Sequence, residues 1–275
     1  MLASGLRSSL EGPKCIDKVN PTRQQVANNL GLAWYYCGDY ANTAGSFLYA
    51  ASSTTASSSR PSSNLTIDCN GIRDGPDDTG LCDRLYRGPT RSTAFQSRMK
   101  ADGFPAKDLN PYFHPYVALG DFRDIRRREE YVHFDPQDQV VEPLSIVAVV
   151  CNDKLIFGLW ADTNNDTVPQ PLVGQLSVAM AKMCYGEHAV ETQQPLDASD
   201  LLFLAFTGTQ AVPGYFGADW GAETPEEFEK GLALLGNKLI RKRVFPSQAA
   251  PRRKLPLSSA LICCVFVAFG LVMQA

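Results

Sequence analysis

The stretch LIFGLWADTNNDTVPQPLVGQLSVAMAKMC, residues 155–184, carries the most information about the fold of this chain. It begins as an apolar, β-rich run that reaches Trp160, and a carboxylate, Asp162, follows on a polar turn. A glycine then leads through Gln175 into a short helical pattern. The order of these features predicts a strand, a turn that carries a functional side chain, and a short helix.

Apolar runs on either side of this stretch predict further strands. Residues 143–151 form a continuous apolar run, which is typical of a buried strand. Residues 154–160 are expected to pair with it across a turn at Asn152 and Asp153. Three more strands are predicted at residues 65–71, 114–119 and 201–207, and a short helix at residues 93–102.

The clearest helix signal begins at Thr224. A threonine that can cap the helix is followed by Pro225 at the first helical position and by Glu227, which completes a capping box. Apolar residues then recur at helical spacing, so one face of this helix should pack on the body of the protein. The residues of that face are Phe228, Leu232, Leu235 and Leu239.

These elements predict one domain that is mainly β with peripheral helices, in the form of a small barrel, with an α+β arrangement as the alternative. The 275 residues are 44% hydrophobic, enough for one large domain, and 21 glycines and 18 prolines favour a turn-rich fold. The domain is expected at residues 15–243, with a Ser-rich loop at residues 51–63. A basic linker at residues 244–256 and a hydrophobic tail at residues 257–273 follow it.

The charge distribution limits the partners of the chain. Residues 1–240 hold 29 acidic and 20 basic residues, a net charge of −9, whereas six basic residues and no acidic one follow from Arg241 onward. An acidic body attracts cations and repels nucleic acid, so no nucleic-acid partner is expected. The chain has no Cys-x-x-Cys pair and its three histidines lack metal-ligand spacing, so neither a metal nor a cofactor is predicted.

The cysteines indicate an oxidising compartment. Six lie in the body of the chain, which predicts three disulfides among fifteen possible connectivities. Pairs that close local loops are favoured: Cys15–Cys37, Cys69–Cys82 and Cys151–Cys184.

The two ends of the chain give different indications about location. Residues 1–14 contain no apolar core of the kind that a signal peptide needs. Residues 257–273 are a run of 17 residues without a charge, slightly short of the ~20 that span a membrane. This run fits the hydrophobic tail of a GPI-anchor signal, and a retained membrane helix is the alternative. We expect an extracellular or cell-surface protein that is attached to a membrane through this tail.

Short motifs along the chain occur in a characteristic order. They are Ile67-Asp-Cys-Asn-Gly71, His114-Pro-Tyr116, Phe134-Asp-Pro136, Ala148-Val-Val-Cys151, Trp160-Ala-Asp-Thr-Asn164, Gly174-Gln-Leu-Ser177 and Gly217-Ala-Asp-Trp220. In this order the motifs resemble those of the fungal chitosanases, glycoside hydrolase family 75. The resemblance covers roughly residues 15–243 and leaves out the Ser-rich loop and the tail.

The resemblance implies which residues form the active site. Family members have an Asp and a Glu as catalytic carboxylates, and here these positions hold Asp162 and Gln175. Asp68, Trp160 and Asn164 are the predicted substrate-binding residues. An amide cannot exchange a catalytic proton as a carboxyl does, so Gln175 puts turnover in question.

The resemblance therefore implies an endo-chitosanase that hydrolyses β-1,4 links between glucosamines with inversion. A monomer is expected, with chitosan as its partner. The alternative is a catalytically impaired relative that binds chitosan at the cell surface. Without the resemblance, Asp162 would be interpreted as a turn aspartate hydrogen-bonded to its own backbone.

Overall fold

The structure is a computed structural model that describes residues 32–38, 47–54, 67–86, 88–121, 135–164, 175–194 and 201–244. At residues 32–38, 47–54, 121, 138–139, 164 and 243–244 the description is limited to the backbone.

A β-hairpin forms the centre of the sheet. Strand β5 (Ile146–Cys151) pairs antiparallel with strand β6 (Lys154–Asn164), and the turn between them holds Asn152 at φ 46° and Asp153 at φ 58°. Two successive positive φ angles are what a tight hairpin turn requires, and asparagine and aspartate tolerate them well. The predicted hairpin is confirmed, and β6 continues four residues past Trp160.

Eight strands form one mixed sheet in the order β1-β2-β8-β5-β6-β4-β7-β3. The others are β1 (Leu32–Gly38), β2 (Phe47–Thr54), β3 (Ile67–Asp68), β4 (Tyr116–Asp121), β7 (Gln175–Ser177) and β8 (Leu202–Phe206). Strand β4 runs parallel to β6, and β3 runs parallel to β7, whereas the remaining pairs are antiparallel. Every residue of β5 and β8 is buried, as their continuous apolar sequences predict.

The predicted combination of a sheet with several helices is confirmed as one mixed sheet, but the predicted small barrel is wrong. In the described part of the chain the sheet is open, with β1 at one edge and β3 at the other. Apolar periodicity reports that a strand is buried, but it contains no information on whether the two edges of a sheet meet. The predicted strand at residues 65–71 is also shorter, since only Ile67 and Asp68 pair.

Five α-helices lie in the described segments: α1 (Leu81–Leu85), α2 (Gln96–Ala101), α3 (Val178–Tyr185), α4 (Glu187–Glu191) and α5 (Pro225–Leu239). Short 3₁₀ turns occur at Pro136–Gln139 and Thr209–Ala211, and a π-helical turn at Ile240–Val244 continues α5. Helix α3 packs on β6 and β7, and α5 packs on β5 and β6. Because Phe157 meets Gly236 of α5 and its neighbour Gly158 meets Met180 of α3, the two helices lie on opposite faces of the sheet.

The capped start of α5 is confirmed. The hydroxyl of Thr224 accepts a hydrogen bond from the backbone N–H of Glu227 at 3.2 Å, and the carboxylate of Glu227 accepts one from the N–H of Glu223 at 3.0 Å. Phe228, Leu232 and Leu239 are buried as predicted, whereas Leu235 is only partly buried.

An aromatic cluster joins α5 to the rest of the domain. The rings of Phe113, His114 and Trp220 all lie against Phe228, with centroid distances of 6.5, 4.8 and 5.2 Å. Nδ1 of His114 accepts a hydrogen bond from the N–H of Asn110 at 2.8 Å. Because Nδ1 is an acceptor, the imidazole is neutral here.

Two of the three predicted disulfides lie in the described part of the chain, and both are confirmed: Cys69–Cys82 and Cys151–Cys184. The first ties β3 to α1, and the second ties the end of β5 to the end of α3. The predicted Cys15–Cys37 bond involves Cys15, which lies outside the described residues.

The predicted tail at residues 257–273 lies outside the described residues. The predicted Ser-rich loop at residues 51–63 is wrong at its start, because residues 51–54 pair as the end of β2, and residues 55–63 lie outside the described residues. Within the described segments, the helices are too short or too polar to reach across a bilayer.

Candidate active site

A β-bulge decides which way Asp162 points. Along the β4–β6 ladder Val117 pairs with Trp160, but the next residue of β4, Ala118, pairs with Asp162, so Ala161 is an extra residue on β6. Side chains alternate along a strand, and one extra residue moves the next side chain to the opposite face. The bulge therefore separates Asp162 from the face that carries Trp160.

Ala118 places Asp162 and Gln175 in one row across the sheet. It is paired with Asp162 on β6 and with Gln175 on β7, so all three residues share one face. Neighbouring strands are about 4.8 Å apart, which puts the Cα atoms of Asp162 and Gln175 roughly 10 Å from each other. The sheet thus brings together the two residues that the sequence predicted as catalytic positions.

The carboxylate of Asp162 is held from three sides. Its Oδ1 accepts hydrogen bonds from the N–H groups of Thr163 at 2.7 Å and Ala94 at 3.0 Å, and its Oδ2 accepts one from the side-chain amide of Asn70 at 2.9 Å. The residue is only 3% exposed. Two of the three donors lie far away in sequence, so this is more than the local turn geometry that an isolated aspartate would adopt.

A second carboxyl, Asp68 at the end of β3, lies against the first. Asp68 is 3% exposed, and it lies close enough to Asp162 that each carboxyl affects the pKa of the other. Its Oδ1 accepts a hydrogen bond from the N–H of Asn70 at 2.8 Å, whereas its buried Oδ2 has no donor among the described residues. Asn70 therefore bridges the two carboxyls with its backbone and its side chain.

Burial shifts the titration of both carboxyls upward. It raises the pKa of Asp68 to about 6, although the hydrogen bond from the N–H of Asn70 and the charge of Arg73 oppose the change. Burial, and then the adjacent negative charge of Asp68, raise the pKa of Asp162 well above its ordinary value. Two carboxyls in contact cannot both ionise easily, so the pair favours a state that holds a proton near neutral pH.

The same face carries Tyr116, whose hydroxyl donates to the carbonyl of Asn70 at 2.6 Å. Burial and then the charges of Asp68 and Asp162 raise the pKa of Tyr116 well above its ordinary value. A phenol that stays protonated beside the pair keeps this hydrogen bond, which holds the segment after β3 against β4. A buried carboxyl pair at a strand end, facing a third polar position across the sheet, is an arrangement typical of acid–base chemistry.

Comparison with known proteins identifies the family. The model of fungal chitosanases of glycosyl hydrolase group 75 matches residues 65–242. An endo-chitosanase of Aspergillus oryzae (strain ATCC 42149 / RIB 40) is 35% identical over 229 residues, which cover 82% of this chain and 84% of that protein. The chain belongs to this chitosanase family.

Two further relatives give the same result. Endo-chitosanase B of the same Aspergillus oryzae strain is 34% identical, and an endo-chitosanase of Aspergillus fumigatus is 33% identical, each over 210 residues. Each alignment covers 76% of this chain and 77% of the relative. As a family member the protein is a glycoside hydrolase, and the resemblance stated from the motifs is confirmed.

The three predicted substrate-binding residues lie in three different environments. Trp160 is fully buried, its indole N–H donates to the carbonyl of Leu119 at 3.0 Å, and its ring lies 4.8 Å from that of Phe95. A ring without exposed surface cannot stack on a sugar, so Trp160 belongs to the core. Asp68 lies in the carboxyl pair, and Asn164 ends β6 opposite Asp121.

An acidic groove of about 440 Å³ lies beside the carboxyl pair but does not include it. Its walls include the carboxyls of Asp74, Asp77, Asp108 and Glu223. Asp108 also accepts hydrogen bonds from the N–H and hydroxyl of Thr93, the residue before Ala94, so one residue separates the groove from a donor to Asp162. Neither Asp162 nor Gln175 lines this groove. The candidate site is therefore the sheet face that carries these two residues.

Sequence reasoning missed Asn70 and Ala94 as parts of the site. Asn70 lies inside the Ile67-Asp-Cys-Asn-Gly71 motif, next to Gly71, so its place in that motif was the available signal. Gly71 follows at φ 113°, and a side chain there would collide with the carbonyl of Leu109. A backbone N–H such as that of Ala94 leaves no trace in the sequence, so that donor was visible only in the structure.

Proposed function

We propose that the protein is an endo-chitosanase that hydrolyses β-1,4 linkages between glucosamine units of chitosan with inversion at the anomeric carbon. Asp162 is one catalytic carboxyl, and Gln175 occupies the position of the second catalytic group. The observation that carries the proposal is the row Asp162–Ala118–Gln175 on one face of the sheet. The curated relatives, which are endo-chitosanases, support the substrate.

The spacing across this row suits an inverting reaction. Inverting glycosidases keep their two carboxyls about 6.5–9.5 Å apart, which leaves room for the attacking water on the side opposite the leaving group. Side chains at two positions whose Cα atoms are roughly 10 Å apart across the sheet can meet that requirement. Asp68 cannot act as the second group, because it is in contact with Asp162 and leaves no such room.

Gln175 favours a second candidate function. An amide at this position can orient a water molecule but cannot take its proton, and general acid–base catalysis contributes about 10²–10⁴-fold. The chain would then bind chitosan and cleave it slowly. The net charge of −9 over residues 1–240 and the acidic groove are compatible with a polycationic ligand in both cases.

The experiment that separates the two functions is reducing-sugar release from chitosan by the native protein and by Gln175→Glu. The substitution adds a carboxyl at nearly constant volume, so turnover should rise on the order of 10²-fold or more. Asp162→Asn in that background should abolish the gain. Gln194→Glu is the matched control, since it adds the same charge at an exposed position and should leave the rate unchanged.

Binding to chitosan is measured beside turnover. A native protein that binds and cleaves slowly supports the impaired relative, whereas one that already cleaves as fast as Gln175→Glu shows that Gln175 is not the second catalytic position. A protein that neither binds nor cleaves chitosan in either form contradicts the proposed substrate. Asn164 remains our prediction for a sugar-binding residue at the end of β6.

The place of action is part of the proposal. The two disulfides of the body, Cys69–Cys82 and Cys151–Cys184, support an oxidising compartment and hence an extracellular or cell-surface enzyme. Attachment through a GPI anchor at the hydrophobic tail and a monomeric state remain predictions from the sequence. Release of the protein from cells by phospholipase, as opposed to detergent alone, tests the anchor.

A further inference from the structure

The carboxyl pair contains a buried oxygen that the fold leaves without a donor. Oδ2 of Asp68 accepts no hydrogen bond in the described part of the chain, although both oxygens of Asp162 and Oδ1 of Asp68 are all bonded to N–H groups. A buried acceptor without a donor is costly, and such groups are rare in folded proteins. Asp162, the side chain in contact with Asp68, is itself an acceptor when ionised.

A single proton resolves this conflict. A carboxyl that is protonated becomes a donor, so a proton on one member of the pair makes a carboxyl–carboxylate hydrogen bond and removes the repulsion of two adjacent charges. The N–H groups of Thr163 and Ala94 and the amide of Asn70 fix the position of Asp162, and the N–H of Asn70 fixes that of Asp68. The geometry is that of two carboxyls built to share a proton.

We propose that Asp68 is a positioning residue that keeps Asp162 protonated, and that Asp162 is therefore the general acid of the reaction. This inference rests on the proposed function for its catalytic part. It assigns the acid role to Asp162, and residue 175 is then the group that faces the attacking water.

These roles define one proton transfer to the leaving group and one from the attacking water. The Asp162 carboxyl gives its proton to the glycosidic oxygen as the C1–O bond breaks, and a water oxygen bonds to C1 from the opposite face. The proton lost by that water passes to a carboxylate at position 175 where one is present, and to solvent where Gln175 stands. Asp162 leaves the step as a carboxylate beside Asp68, and this repulsion favours its return to the protonated form.

Other titratable groups near the pair do not supply the proton control. Arg73 donates to the carbonyl of Cys69 at 2.8 Å and forms an ion pair with exposed Asp83 at 3.2 Å. Tyr86 donates to the carbonyl of Ile67 at 2.6 Å, and Tyr116 to that of Asn70. Asp108 is bonded to Thr93 and Leu109. Each of these groups has its own partner, so Asp68 is the group that acts directly on Asp162.

The direct test is infrared titration of the carboxyl groups in the full chain. The wild-type spectrum minus that of Asp162→Asn isolates the protonated carboxyl of Asp162 and gives its midpoint. Asp68→Asn should lower that midpoint by on the order of 1–3 pH units, because it removes the like charge and places an amide donor beside Asp162. Glu229→Gln is the matched control, since it changes a partly buried carboxyl that accepts the N–H of Phe157 outside the pair, and the Asp162 midpoint should not move.

A second readout tests the catalytic part. In the Gln175→Glu background, Asp68→Asn should shift the alkaline limb of the pH–rate profile to lower pH by the same amount. If Asp162 is already ionised at pH 6 in the wild type, or if Asp68→Asn leaves its midpoint unchanged, the inference is wrong whatever the turnover. A shifted midpoint together with a complete lack of chitosan cleavage in Gln175→Glu would instead support proton sharing and overturn the proposed function.

Discussion

Two regions of this domain bury an ionisable group, and they do so in opposite ways. His114 lies among the rings of Phe113, Trp220 and Phe228, where burial lowers its pKa to about 4, and the N–H of Asn110 donates to its Nδ1. Its neutral form is therefore the form present at neutral pH. His114 is only partly buried, whereas Asp68 and Asp162 are each 3% exposed, and ionisation of both would place two like charges together.

The difference shows which buried polar groups are structural. At His114 the fold selects the uncharged form and satisfies Nδ1, so burial costs little under working conditions. At the carboxyl pair Oδ2 of Asp68 has no donor among the described residues, and burial opposes ionisation of both carboxyls. Groups that are held in an unfavourable charge state cluster at sites of chemistry. The comparison predicts that substitutions will damage the first region and relieve the second.

The largest effect is expected from Phe228→Ala in the His114 cluster. Phe228 is fully buried and contacts the three other rings of the cluster, so its removal leaves a cavity. The free energy of unfolding should fall by about 3–5 kcal/mol in denaturant titration. Phe216→Ala, at a residue that is 94% exposed, should change it by less than about 0.5 kcal/mol. Equal effects at the two positions would mean that the cluster does not stabilise the domain.

The pH dependence of stability sharpens the comparison, because the two regions contribute slopes of opposite sign. Asp68 has its pKa raised from 3.8 to about 6 on folding, so the folded state binds more protons and stability falls as the pH rises through this window. His114 has its pKa lowered from 6.5 to about 4, so the unfolded state binds more protons and stability rises over nearly the same window. Each proton difference is worth about 1.4 kcal/mol per pH unit. Because the pKa of Asp162 is raised in the same direction as that of Asp68, the carboxyl pair should outweigh His114, and wild-type stability should fall between pH 4 and pH 6.

Substitution of one group at a time exposes the other. Asp68→Asn should give a free energy of unfolding that rises with pH from 4 to 6, relative to wild type, and a more stable protein at pH 7. His114→Asn keeps an acceptor for the N–H of Asn110 and should give the opposite slope, whatever its effect on absolute stability. Asp153→Asn, at an exposed turn, is the control and should leave the slope unchanged. Parallel curves for all three variants would contradict the assignment of opposite charge preferences.

The smallest effect is expected at the start of α5, the helix that carries Phe228 into the cluster. Thr224→Ala removes the hydroxyl that accepts the N–H of Glu227 and should reduce the free energy of unfolding by about 1 kcal/mol. Thr209→Ala removes an exposed threonine that does not cap a helix in this way and should have little effect. A loss at Thr224 as large as that of Phe228→Ala would indicate that the helix end, more than the cluster, holds α5 in place.

The sequence determined the elements that depend on local physics. Continuous apolar runs are buried for the length of a strand, so β5, β8 and most of β6 were predictable, as were the hairpin turn at Asn152-Asp153 and the capped helix from Thr224. The pairs Cys69–Cys82 and Cys151–Cys184 were predictable because each closes a local loop. The family was predictable because its motifs occur in order. The prediction of Asp162 as a catalytic carboxylate followed from the same resemblance.

The tertiary structure alone decided how these elements form a site. The sheet is open because strand pairing at its edges is a long-range property, and the bulge at Ala161 turns Asp162 away from Trp160 through the register with Ala118, which one strand cannot specify by itself. Trp160 lies in the core for the same reason, although its sequence position beside Asp162 favoured a sugar platform. The contact of Asp68 with Asp162 joins residues 94 positions apart, and the energy of that contact depends on burial, which exists only once the chain has folded.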